Sequence, residues 1–143
     1  MEVLALREAL IRSLGDIYRL EAFSALGDLL QGESMVLHFL LAARGAPMFP
    51  SALSQELRLS RSRITAAVNS LRRKGLVATE PCREDRRMVL VSLTEKGREL
   101  IVEKEGRMAS YFDRMIKGLG PADTQRLIEL IHRCVDVMGG QEQ

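Results

Sequence analysis

The 143-residue chain has no tryptophan, only 4% aromatic residues, two cysteines and two histidines. Each scarcity closes off a class of function. Few aromatic platforms argue against carbohydrate binding and against stacking on single-stranded nucleic acid. Cys82 and Cys134 are too few for a disulfide framework and agree with a reducing compartment. No run approaches the roughly 18 to 20 uncharged apolar residues that a membrane span needs. The opening stretch MEVLALREALIRSLGDIYRLEAF carries acids and bases throughout. It lacks the basic start, apolar middle and cleavage site of a secretion signal. The expected location is the cytoplasm, with no membrane partner.

The raw material of catalysis is also thin. His38 and His132 stand nearly a hundred residues apart, each in an apolar helical stretch where packing in a core or interface is the expected role. Neither they nor the cysteines show zinc-ligand spacing, and no glycine-rich loop suited to phosphates occurs. No carboxylate pair or nucleophile with its base stands out. The chain is therefore expected not to be an enzyme, and to hold no cofactor and no metal.

What the chain does have is an uneven charge. Residues 58–98 hold eleven basic side chains against four acids, whereas the remainder holds ten basic and fifteen acidic ones. A basic middle between acidic flanks suits a polyanion-binding module on an oligomerisation scaffold. A non-specific architectural protein would be far more basic overall.

Residues 3–30 read as one long helix, with Leu6, Leu10, Leu14, Ile17, Leu20 and Phe23 at spacings of three or four. Gly27 and Gly32 bracket its end, and a second, largely apolar helix spans 34–44 until Gly45 stops it. Residues 45–50 read as a turn or short extended piece. Ser51 is expected to cap a third helix through Leu57, and Ser60 a fourth through Lys74, with Gly75 just beyond. Two short helices so joined make a helix-turn-helix signal. The period then changes: 76–79 and 88–93 are β-prone and flank a charged tip, which reads as a β-hairpin. A fifth helix runs to Lys117, and a sixth from about Ala122 to Met138 carries the stripe Leu127, Ile128, Ile131, Cys134, Val135, Met138.

The segment SRSRITAAVNSLRRK, residues 60–74, sorts cleanly on a wheel of about 100° per residue. Ile64, Ala67, Val68 and Leu71 share one sector. Ser62, Ala66, Asn69 and Arg73 share the opposite one, flanked by Arg63, Thr65 and Ser70. Every outward side chain is small, hydroxylated, amide or basic, and none is acidic. A helix entering a major groove needs that mixture, because short side chains permit approach and Asn and Arg pair with base edges. A solvated surface helix is the alternative, but such helices normally mix in acids. At the hairpin tip an arginine can enter a neighbouring minor groove, and Asp85 reads as positioning it. The candidate DNA contacts are Ser60, Arg61, Ser62, Arg63, Thr65, Ala66, Asn69 and Arg73 on the helix, with Arg83, Asp85, Arg86 and Arg87 on the hairpin.

The segment Asp85-Arg86-Arg87-Met88-Val89-Leu90-Val91-Ser92-Leu93-Thr94-Glu95-Lys96-Gly97 closely resembles the wing-to-helix signature of the MarR (multiple antibiotic resistance regulator) family. So does the stretch from Leu59-Ser60-Arg61-Ser62 through Leu71-Arg72-Arg73-Lys74-Gly75-Leu76-Val77. The resemblance implies a mainly α fold with a small β-hairpin wing: a winged helix-turn-helix lobe, 33–97, and a helical dimerisation region from both termini, 1–32 and 98–143. The whole chain, 1–143, is then a single MarR-type domain. It also implies a homodimeric transcription regulator, usually a repressor, that binds a pseudo-palindromic operator in double-stranded DNA. A small aromatic or anionic effector often lowers DNA affinity in the family, and Arg12, Met35 and Phe39 are candidates to line its pocket, with core packing as the alternative. The family's wing pair maps onto Asp85 and Arg87.

Two features depart from the pattern. Arg58 stands where the family usually has glycine between the two short helices, so it either avoids a positive φ or tolerates one at a cost of about 1 kcal/mol, and its side chain could also touch a phosphate. Family members that sense oxidants carry a cysteine near the start of the first helix, and this chain has none there. Cys82 lies beside Arg83, Arg86 and Arg87, which would favour a thiolate. A thiol sensor at the wing therefore stays open, while Cys134 is expected to be inert packing.

Overall fold

Helical spacing and two β-prone runs organise the chain in the computed structural model, which describes residues 2–140. The elements are α1 (Val3–Tyr18), α2 (Glu21–Leu30), α3 (Gly32–Ala42), α4 (Pro50–Leu57), α5 (Arg61–Arg73), β1 (Val77–Pro81), β2 (Val89–Leu93), α6 (Glu95–Leu119) and α7 (Pro121–Gly139). Met1 and residues 141–143, the outer ends of the expected dimerisation segments, lie outside the described residues. The chain divides into two units, one ending at Met108 and the other beginning at Ala109.

The expected single helix over 3–30 is two. Leu20 leaves the helix for extended backbone (φ −71°, ψ 145°) and restarts it as the flanking residue of α2. Its N–H reaches back to the Ile17 carbonyl at 3.1 Å, closing the last turn of α1. No proline or glycine marks this break, and Leu20 keeps the apolar period unbroken across it. The consequence is a division of labour. Ala22 and Leu29 of α2 are buried, while α1 buries no residue and leaves Leu6, Leu10, Ile11 and Leu14 exposed.

In α3, Val36, Leu37 and Leu40 are buried; its chain then reverses through Arg44 and Gly45, both with positive φ. The following run is more than a turn. Met48 exchanges both backbone hydrogen bonds with Val91, each at 2.8 Å, and so borders β2 on the edge away from β1. Ser51 does not cap α4, contrary to expectation. Pro50 takes the first helical position, where its fixed φ suits and its missing N–H is no loss, and Phe49 is the flanking residue. Ser60 does cap α5, its Oγ accepting the Arg63 N–H at 3.2 Å, and Gly75 follows with φ 77°. The strands pair antiparallel from Val77↔Leu93 to Pro81↔Val89, so β1 extends past the expected residue 79.

One cluster of buried side chains holds this unit: Val36, Leu37, Leu40, Leu53, Ile64, Leu71, Val91 and Ile101 are its least exposed members. Truncating any such leucine to alanine typically costs about 2–5 kcal/mol. The end of α5, the base of the hairpin and the start of α6 meet at one joint. Thr94 Oγ1 donates to the Gly75 carbonyl at 2.7 Å and accepts the Gly97 N–H at 3.1 Å. Lys96 Nζ donates to the Lys74 carbonyl at 3.0 Å. A Cβ on Gly97 would lie 1.9 Å from the Leu76 carbonyl oxygen, so only glycine fits there.

In the second unit, Gly120 turns the chain with φ 85° and accepts from Thr124 Oγ1 at 2.7 Å. The expected stripe lies on α7, and Ile128, Ile131, Val135 and Met138 are all exposed. Cys134, on the same stripe, is exposed as well. The histidines are likewise outside the core: His38 on α3 meets Glu105 of α6 at the surface, and His132 is exposed. No described helix is long and apolar enough to cross a membrane.

Candidate nucleic-acid interface

The cap at Ser60 and the buried row Ile64, Val68, Leu71 set the rotation of α5, so its opposite face is turned outward. Ser60, Arg61, Ser62, Arg63, Thr65, Ala66 and Arg73 are all exposed there. Asn69 is half-buried instead. It lines a cleft of about 300 Å³ with Thr65, Arg72, Thr79 and Val89, between α5 and the hairpin. Ser70 is turned towards Glu33 of α3, away from the outward sector, and helps hold that carboxylate charged.

On the hairpin, Arg83, Arg86 and Arg87 are exposed and Asp85 is partly buried. Asp85 Oδ1 accepts the Arg87 N–H at 3.1 Å and its Nε–H at 3.2 Å, while Oδ2 lies 3.5 Å from the terminal guanidinium nitrogen. The expected positioning of an arginine by Asp85 is thus present as geometry. The guanidinium so oriented remains 92% exposed. Cys82 is buried at the neck of this loop, its N–H donating to the Met88 carbonyl at 2.9 Å.

Of the eleven basic residues between 58 and 98, only Lys74 and Arg87 are in ion pairs among the described residues. Of the others, Lys96 bonds the Lys74 carbonyl and Arg73 acts on the nearby Glu33, and the rest are exposed without an ion pair, as an anion-binding surface requires. Lys74, at the end of α5, donates to Glu33 Oε2 at 2.6 Å. That hydrogen bond and a second from Ser70, helped by the charges of Lys74 and Arg73, hold the Glu33 carboxyl below its ordinary value against the opposing effect of burial. Sequence reasoning missed this link because its partners are far apart in the chain and neither belongs to a motif.

A second cleft, about 780 Å³, is lined by Tyr18, Phe23, Asp28, Gln31, Glu33 and Lys104, among others. Arg12, Met35 and Phe39, the residues expected to line an effector pocket, do not line it; Phe39 packs against the core instead. Lys104 bonds Asp28 at 2.9 Å and Ser34 at 3.0 Å along its wall. Among the described residues no three His, Cys, Asp or Glu side chains are grouped as metal ligands.

Comparison with known proteins points one way. Residues 28–88 match the model described as "MarR family". An Escherichia coli protein named HTH-type transcriptional regulator PrsX is 33% identical over 99 residues, which is 69% of this chain and 59% of that relative. The chain thus spans about three fifths of the length of the curated relative it matches. Among solved structures, the transcriptional regulator BldR from Sulfolobus solfataricus is 27% identical, with a TM-score of 0.57, over 95% of this chain and 99% of that one. FabT from Streptococcus pneumoniae, solved in complex with DNA, superposes with a TM-score of 0.66 at 20% identity, over 98% and 99% of the two chains.

Proposed function

Because the chain belongs to the MarR family of winged helix proteins, we propose that it is a sequence-specific, DNA-binding transcription regulator, acting as a homodimer on a pseudo-palindromic operator. The observation that carries this reading is the outward face of α5, which is basic and polar and holds no acid from Arg58 to Thr79. The wing adds an arginine held outward by Asp85. FabT, which has the same fold, was solved with DNA bound. Homodimerisation is supported by the exposed apolar residues of α1 and α7, which a second copy would cover. Repression relieved by a small aromatic or anionic effector completes the proposal, as does a cytoplasmic location. Tyr18 and Phe23 line the larger cleft with aromatic rings, and Lys104, bonded there to Asp28, is the cation beside them.

In this mechanism Arg63 reads a base edge from the first turn of α5, and Asn69 reads one from the margin beside the wing. Selection of duplexes from a random library, followed by band-shift titration, tests the proposal. Arg63→Ala and Asn69→Ala should each cost about 1–3 kcal/mol on the selected duplex and much less on random DNA. Equal losses on both would remove base reading from α5.

A further inference from the structure

Two non-glycine residues of the described chain have left-handed backbone, and both are arginines: Arg44 (φ 57°) and Arg58 (φ 54°). Arg58 ends α4. Crowding of Cβ against the carbonyl penalises this conformation in every residue but glycine, which fills such helix ends by default. The turn itself is held without help from the side chain of Arg58. The Ser54 carbonyl accepts the Leu59 N–H at 3.1 Å, and Ser54 Oγ donates to the Leu59 carbonyl at 2.5 Å. Arg58 is exposed, and among the described residues its guanidinium has no ion pair or hydrogen bond. Neither packing nor pairing explains an arginine at a strained position, so the explanation lies in what the side chain does towards solvent.

Its place supplies one. Arg58 stands just before Ser60, the cap of α5, at the end of that helix which also carries Arg61 and Arg63. The N-terminal end of a reading helix is the part that enters the groove, and the phosphates bordering the groove lie beside it. We infer that Arg58 is a contact to the DNA backbone that seats this end of α5, extending the interface into the turn of the helix-turn-helix. The inference rests on the DNA-binding reading above. A planar, permanently charged guanidinium suits phosphate oxygens, and such a contact adds affinity with no base preference.

Three substitutions separate the charge from the backbone. Arg58→Ala removes the charge and keeps the strained conformation; Arg58→Gly removes both; Arg58→Lys keeps both. Binding is read by fluorescence anisotropy on a mixed-sequence duplex, and folding by thermal melts of the same samples. Arg58→Ala and Arg58→Gly should weaken binding alike, and Arg58→Lys should retain most of it. Loss of one phosphate contact per protomer means that raising salt from about 50 to about 200 mM weakens the Ala variant roughly tenfold less than the parent. Arg58→Gly should melt about 3 °C above Arg58→Ala, since glycine relieves the backbone whether or not DNA is bound. A parent that binds the duplex with an Arg58→Ala variant of the same affinity and salt slope overturns the inference alone. A parent that does not bind duplex DNA overturns the DNA-binding reading and this inference with it.

Discussion

At the scale of single residues, Asp85 commits both carboxylate oxygens to Arg87. An ion pair this exposed adds little to stability, at most about 1 kcal/mol. Asp85→Ala should therefore melt almost where the parent does, yet lose part of the DNA affinity that Arg87→Ala loses. Parallel melts and band shifts check this, and a variant that grips all DNA more tightly would make Asp85 merely a repulsive charge. Gly97 is the opposite case, with structural weight and no outward role. Gly97→Ala drives a Cβ into the Leu76 carbonyl, and backbone cannot swing aside as a side chain can. Denaturant titration should show a loss of about 2–3 kcal/mol. The first pair was legible in the sequence because its partners are two residues apart in a recognisable wing. The second was not, because the carbonyl that excludes a methyl group comes from across the joint.

At the scale of elements, what could be read were the boundaries with a chemical signal of their own. Ser60 and Gly75 bound α5 as expected because a hydroxyl cap and a left-handed stop are local devices. The break at Leu20 has no such signal, since an apolar residue serves an amphipathic helix and an extended corner equally well. Ser51 misled for a related reason: Pro50 already provides a start, so no hydroxyl is needed. The tie between α3 and the end of α5 is tertiary throughout, and pH makes it measurable. Lys74 and Ser70 hold Glu33 below the ordinary glutamate value of 4.5, so this carboxylate stabilises the fold at pH above that value. The contribution disappears as pH falls through the depressed value, where the folded-state carboxyl at last protonates. Stability curves across the acid range should therefore fall less steeply for Glu33→Gln than for the parent. With both groups open to solvent the difference stays below about 1 kcal/mol. Superimposable curves would show that solvent screens the pair completely.

At the scale of the whole molecule, the pattern of charge and apolar surface was the most legible feature of all. A period of three or four places Leu10 on α1 and Ile131 on α7, but only the structure shows that both stay exposed in one chain, at 60% and 51%. Leu10→Glu and Ile131→Glu disturb no core, so each should fold and sediment as a monomer at micromolar concentration where the parent sediments as a dimer. Each should also lose the steep operator binding that two linked half-sites provide. A monomeric parent would refute the homodimer directly.

The joint of Thr94, Lys96 and Gly97 has a consequence for how such a lobe tells one sequence from another. Hydrogen bonds and close backbone packing tie the end of α5 to the base of the hairpin, so on the DNA-binding reading proposed above the two would shift together. They would act as one stylus with two points. Sliding a stylus of that kind by one base-pair step lifts both points from their grooves together, because neither can follow its old target while the other moves on. Errors of alignment would then be felt jointly, and discrimination between neighbouring registers would work as a threshold on the whole lobe instead of a sum over its separate contacts.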